Sequence, residues 1–89
     1  MATLFVRHQV ADFSAWKRAY DEFDTKRKTM GVTGDGVYQL DGNPNDVTLY
    51  HEFGNIEDAK AFAASDELKA TMQRAVVQGR PDIWFTNRT

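Results

Sequence analysis

The chain has 89 residues, 42% of them hydrophobic and 27% charged, with a net charge of −2; this suits one domain built round a single core. That balance offers no basic patch for nucleic acid or an anionic membrane, and no apolar run approaches the ~20 residues that span a bilayer. Cysteine is absent, which excludes a disulfide framework, a thiol nucleophile and a thiolate metal site.

The opening, Met1-Ala2-Thr3-Leu4-Phe5-Val6-Arg7, lacks the basic and apolar regions of a signal peptide, so a cytoplasmic protein is expected. Residues Thr3 to Val10 then alternate. Leu4, Val6, His8 and Val10 share one face, and Thr3, Phe5, Arg7 and Gln9 the other, the period of a strand. Asp12 is a candidate N-cap. After it Phe13, Trp16, Tyr20, Phe23, Arg27 and Met30 recur every three or four residues, one stripe of a long helix. Gly31 suits the residue just past its end, where positive φ closes the helix.

Thr33-Gly34-Asp35-Gly36 has loop composition, and Val37 to Leu40 reads as a short strand. Asp41-Gly42-Asn43-Pro44-Asn45-Asp46 gathers turn formers into a hairpin connection. The return strand, Val47 to Phe53, puts Val47, Leu49, His51 and Phe53 on one side and Thr48, Tyr50 and Glu52 on the other. Gly54 stops it and Asn55 caps a helix whose inner face is Ile56, Ala59, Phe62 and Ala63. Ser65 reads as a second N-cap, so a break is expected near Ala64 and Ser65. Leu68, Met72, Ala75 and Val76 follow at helical spacing, Gly79 and Pro81 end that helix, and Asp82 to Asn87 forms the last strand.

The predicted order is β-α-β-β-α-α-β, an α+β ferredoxin-like arrangement over residues 1–89. Four antiparallel strands carry the helices on one face. The uncovered face would hold large apolar groups, and 12% aromatic content is high for so short a chain. A second copy packed sheet on sheet, as a homodimer, is the economical cover.

These residues resemble the dimeric α+β barrel superfamily, in its antibiotic biosynthesis monooxygenase-like branch. The likeness is carried by Val10-Ala11-Asp12-Phe13 with Trp16-Lys17, Arg27 with Gly31, and His51-Glu52-Phe53 before Ala59, Phe62 and Ala63. Ala64-Ser65-Asp66-Glu67-Leu68 with Met72 and the closing Pro81-Asp82-Ile83 extend it over nearly the whole chain. The resemblance implies a dimeric barrel, and an activity ranging from cofactor-independent oxygenation of phenols to polyketide cyclisation. In the quinone-forming oxygenases it implies a pocket of Asn, Trp, Tyr and Arg groups round a substrate phenolate. Trp16, Tyr20 and Arg74 match by type, whereas Asn43, Asn45, Asn55 and Asn87 fall in turns, caps or the terminus. The haem-degrading branch places its axial His on a helix, and both histidines here lie on strands.

His51 and His8 are the candidate general bases, since imidazole titrates near neutrality; the alternative is a pair of hydrogen-bonded structural histidines. Without the register they are either cross-strand neighbours or roughly 13 Å apart at about 3.3 Å per residue. Two histidines without a carboxylate on their face make a poor metal site, so no metal and no cofactor are expected. Trp16, Tyr20, Phe62 and Met72 would wall a pocket for a small aromatic ligand, or else be ordinary core. Tyr38 and Trp84 would line the same space or the dimer seam. Arg7 would bind a substrate carboxylate or phenolate, or pair with Glu52 across the strands. Two functions fit: a monooxygenase- or cyclase-like enzyme, and a dimeric binding module without turnover.

Overall fold

A computed structural model of the chain describes residues 1–74 and 77–89, with side chains described outside 74–78. Its elements are β1 (Ala2–Val10), α1 (Phe13–Glu22), α2 (Asp24–Thr29), β2 (Val32–Leu40), β3 (Asn43–Phe53), α3 (Ile56–Ala63), α4 (Asp66–Arg74) and β4 (Val77–Asn87). The strands form one antiparallel sheet in the order β2-β3-β1-β4. No helix among the described residues is long and apolar enough to cross a membrane.

Alternation in β1 and β3 decides which face meets the helices. Leu4, Val6, His8 and Val10 are buried, as are Val47, Leu49, His51 and Phe53. Trp16 of α1 and Ala59 and Phe62 of α3 close over them to make the core. All three predicted caps form: Asp12 accepts from the Ser14 N–H at 3.1 Å, Asn55 from the Asp58 N–H at 2.8 Å and Ser65 Oγ from the Leu68 N–H at 3.0 Å. Gly31 takes φ 98° beyond α2, and α3 and α4 part at the expected break.

The expected long first helix is two helices, broken at Phe23 (φ −84°, ψ −1°). The Tyr20 carbonyl oxygen at the break has two donors, the Phe23 N–H at 3.2 Å and Arg27 Nη1. The break thereby turns Phe23 and Arg27 both inward, where each is buried.

Residues 33–36, expected as a loop, belong to β2. A Cβ on Gly36 would lie 2.5 Å from Cε1 of Tyr50, so the glycine is there to let the Tyr50 ring lie across the strand. The hairpin turn is only Asp41-Gly42, with Gly42 at φ 86°. The four residues after it open β3, because Asn43 and Asn45 satisfy main-chain groups: Asn43 Oδ1 accepts from the Asn45 N–H at 3.2 Å and Asn45 Oδ1 from the Phe13 N–H at 3.0 Å. Gly79 and Pro81, expected to end the last helix, sit inside β4. Between the pairs Arg7–Asp82 and Gln9–Gln78, three residues of β4 stand against His8 alone. Gly79, at φ 71°, lets this wide bulge form. Ala75 and Val76, expected on the inner face of the last helix, lie outside the described residues.

Candidate functional site

Between α1, α3, α4 and the sheet lies a cavity of about 60 Å³ lined by Leu4, Val6, His8, Trp16, Tyr20, Phe23, Arg27, Leu49, His51, Phe62, Leu68, Met72 and Ile83, among others. Helical spacing stacks Trp16 on Tyr20, with ring centroids 5.0 Å apart. His8 meets the edge of Trp16 at 5.3 Å, and His51 lies against Phe62 at 5.1 Å and Tyr20 at 6.0 Å. Six residues expected on sequence grounds, His8, His51, Trp16, Tyr20, Phe62 and Met72, therefore share one space.

The register resolves the two histidines. Leu4 stands opposite His51 and His8 opposite Val47, so the pair lies four residues apart along the sheet, about 13 Å at ~3.3 Å per residue. They occupy opposite ends of the cavity and cannot share one ion or one proton.

Each histidine is buried, 6% and 3% exposed, and three of their four ring nitrogens have no partner among the described residues: both of His8 and Nδ1 of His51. The pKa of each is lowered to about 4, chiefly by burial and in His51 also by nearby Arg27, while Asp46 and Asp35 pull the other way. Both rings are neutral at pH 7. A neutral imidazole carries one N–H and one lone pair, and the described residues round the cavity leave both nitrogens of His8 and one of His51 unmet.

His51 Nε2 lies 3.3 Å from the Tyr20 hydroxyl, which donates its own proton to Asp35 Oδ2 at 2.5 Å. A carboxylate only accepts, so the tyrosine's single proton is committed to Asp35. Nε2 must then carry the hydrogen of His51, and Nδ1 is left as a bare lone pair. Burial, with this bond to Asp35, holds the Tyr20 phenol above its usual range.

Arg27 completes the group. Its guanidinium is 4% exposed, lies 3.7 Å over the Tyr20 ring, and reaches Asp24 at 3.1 Å and Asp35 at 3.7 Å. Arg27 and Asp35 were the residues that sequence reasoning did not place in the site. The signal for Arg27 was a charge on an otherwise apolar helical stripe, seven residues after Tyr20.

Arg7 lies on the opposite face of the sheet, outside the cavity. Its expected partner Glu52 stands opposite Thr3 while Arg7 stands opposite Thr48, too far along for the two to meet. Asp46 takes the guanidinium instead through two bonds, 3.0 and 2.7 Å, and the pairing raises the pKa of Arg7 and lowers that of Asp46. Tyr38 and Trp84 share that outer face, 61% and 49% exposed, and do not reach the cavity. The Arg74 side chain lies outside the described residues.

No protein-family profile matches the chain, and no curated protein matches it in sequence. Solved structures share its architecture over almost its whole length. A Bordetella bronchiseptica protein assigned as an antibiotic biosynthesis monooxygenase is 10% identical, with a TM-score of 0.84 over 99% of this chain and 96% of that one. A Nitrosomonas europaea protein of the same assignment is 15% identical, with a TM-score of 0.79 over 99% and 98% of the two chains. SnoaB, a cofactor-independent oxygenase from Streptomyces nogalater, is 9% identical, with a TM-score of 0.76 over 99% and 94%. The chain has the α+β ferredoxin-like fold of the antibiotic biosynthesis monooxygenase-like proteins.

Proposed function

We propose that the chain is a cofactor-independent oxygenase or cyclase acting on a small hydroxylated aromatic or polyketide-like molecule held in this cavity. One observation carries the reading: the two histidines that line this apolar space hold three buried ring nitrogens with no partner among the described residues. An unmet buried polar group costs about 1–3 kcal/mol, and a hydroxylated ring would meet that need while filling the space between Trp16 and the sheet.

The substrate hydroxyl donates to Nδ1 of His51, and the Arg27 guanidinium stabilises the phenolate that forms. Oxygenation balances without an outside reductant. The ring C–H para to the hydroxyl becomes a quinone C=O, the substrate loses four electrons, and O2 supplies the new oxygen and leaves its other atom as water. Trp16, Tyr20, Phe62 and Met72 are the walls, and His8 meets the far end of the ligand. The fold shared with a protein named as a cofactor-independent oxygenase supports this chemistry.

Calorimetry with 1-naphthol and its methyl ether tests the binding. The ether should bind about tenfold more weakly, the equivalent of ~1.4 kcal/mol and the scale of one neutral hydrogen bond. Equal affinities would end the hydrogen-bonding role of the histidines. An oxygen electrode then tests turnover, with O2 uptake expected to match quinone formation one to one. A binding module without turnover is favoured by a separate observation, the depression of both histidines to about 4, which makes them weak bases. Tight naphthol binding with no O2 uptake would select it.

We infer further that a second copy covers the outer face, where Phe5, Tyr38 and Trp84 stand 39%, 61% and 49% exposed round Tyr50. Two such faces pack at about 10 Å. Sedimentation at micromolar concentration should show a dimer, and Trp84→Glu should shift it to monomer by burying a charge at the seam.

A further inference from the structure

We propose that Tyr20 and Asp35 form a proton path that connects His51, at the floor of the cavity, with solvent at the edge of the sheet. The observation is a continuous chain of polar atoms crossing from a sealed residue to an open one. His51 is 3% exposed, and its one hydrogen-bond contact among the described residues is Nε2 to the Tyr20 hydroxyl at 3.3 Å. That hydroxyl donates to Asp35 Oδ2 at 2.5 Å, and the Asp35 side chain is 36% exposed on the edge strand β2. Other described neighbours of His51 offer no relay: Phe62 from α3 and Leu4 from β1 are apolar. The charged neighbours are Arg27, which has no proton to trade at ordinary pH, and Asp35 itself.

The polarity of the chain is set by the proton count. Tyr20 gives its hydrogen to Asp35, so Nε2 of His51 is the N–H and Nδ1 the acceptor facing the cavity. A proton arriving at Nδ1 releases the one on Nε2 to the Tyr20 oxygen, which passes its own to Asp35, and Asp35 gives it to water. Every residue in the path gains one proton and loses one. His51 ends as the other neutral tautomer and need not persist as a buried imidazolium, the species that burial disfavours. Arg27, 3.7 Å from Asp35 and lining the cavity, offsets negative charge at either end. Tyr20 and Asp35 are positioning residues in this scheme, since neither takes the substrate proton directly.

The use of the path rests on the proposed chemistry, but its test needs no substrate. In protein labelled with 15N-histidine, correlations from the carbon-bound ring protons report the tautomer. Wild-type His51 should be protonated at Nε2 and bare at Nδ1; a ring protonated at Nδ1 would overturn the assignment. The second readout is exchange of the Nε2 proton with water. Asp35→Asn keeps an oxygen for Tyr20 to bond but cannot hold the proton, so the tautomer should stay and exchange should slow at least about tenfold. Tyr20→Phe keeps the ring stack, removes the link and should also slow exchange. If Tyr20 merely seals the cavity, losing its hydroxyl loosens the cover, and exchange in Tyr20→Phe speeds up or stays unchanged. That result, or unchanged exchange in Asp35→Asn, refutes the path. Should Tyr20→Phe fold poorly, the half-open Asp35 site decides alone. A failed path leaves naphthol binding and O2 uptake untouched, and failed binding leaves the tautomer and exchange results standing.

Discussion

Acidifying the protein from pH 7 to pH 4 should remove about 6 kcal/mol of folding stability, before any carboxylate pair is broken. His8 and His51 are held near 4 in the folded chain and return to about 6.5 when unfolded. Between those values the unfolded chain binds the extra protons, so stability rises with pH across the window. It is fully present above pH 6.5 and gone below about pH 4. Two and a half units at 1.36 kcal/mol each give about 3 kcal/mol per histidine. For a domain whose whole stability is ~5–15 kcal/mol, that loss decides whether the chain is folded. Asp46, held below its usual range by Arg7, loses its contribution only as pH falls below the ordinary carboxylate value, so the two effects separate. Urea unfolding at fixed protein concentration from pH 7 to 4 measures the slope. His8→Gln should halve it, and a flat profile between pH 6.5 and 4.5 would mean that the histidines are not buried neutral.

Phe53→Ala is expected to cost about 3–5 kcal/mol, the range for truncating a large buried aromatic. Phe53 is fully buried at the end of β3, with its ring 5.5 Å from that of Phe62, and neither the strand nor α3 can move into the space. At ~4–8 °C per kcal/mol in a domain of this size, the melting temperature should drop by well over 10 °C. Leu40→Ala, at a side chain 50% exposed, should change stability by no more than about 0.5 kcal/mol. A loss below 1 kcal/mol at Phe53 would show that the core closes over the gap.

The contrast between Phe53 and Leu40 follows from patterning that is visible in the chain itself. Alternation in β1 and β3, the stripe from Phe13 to Met30 and the caps at Asp12 and Asn55 all depend on neighbours a few residues away. The six cavity residues came with them, because a period assigns a face. What the chain did not reveal depends on contacts distant in sequence. Gly34-Asp35-Gly36 has the composition of a loop, yet Gly36 is small to admit Tyr50 and Asp35 is held by Tyr20 from another element. Arg27 resembles one more member of a stripe until the break at Phe23 turns it inward. Arg7 shows the converse: its outward face was legible, but its partner Asp46 depended on a register that no local pattern encodes.

The bulge opposite His8 also bears on how the chain keeps to itself. β4 is an edge strand, and an unpaired edge is an open template on which another chain can add a strand. Pro81 lacks an N–H to offer, Gly79 at φ 71° bends the backbone out of the pleat, and Asp82 and exposed Arg80 charge the rim. The irregularity that widens the sheet at His8 is thus also a guard against fibril growth along its edge.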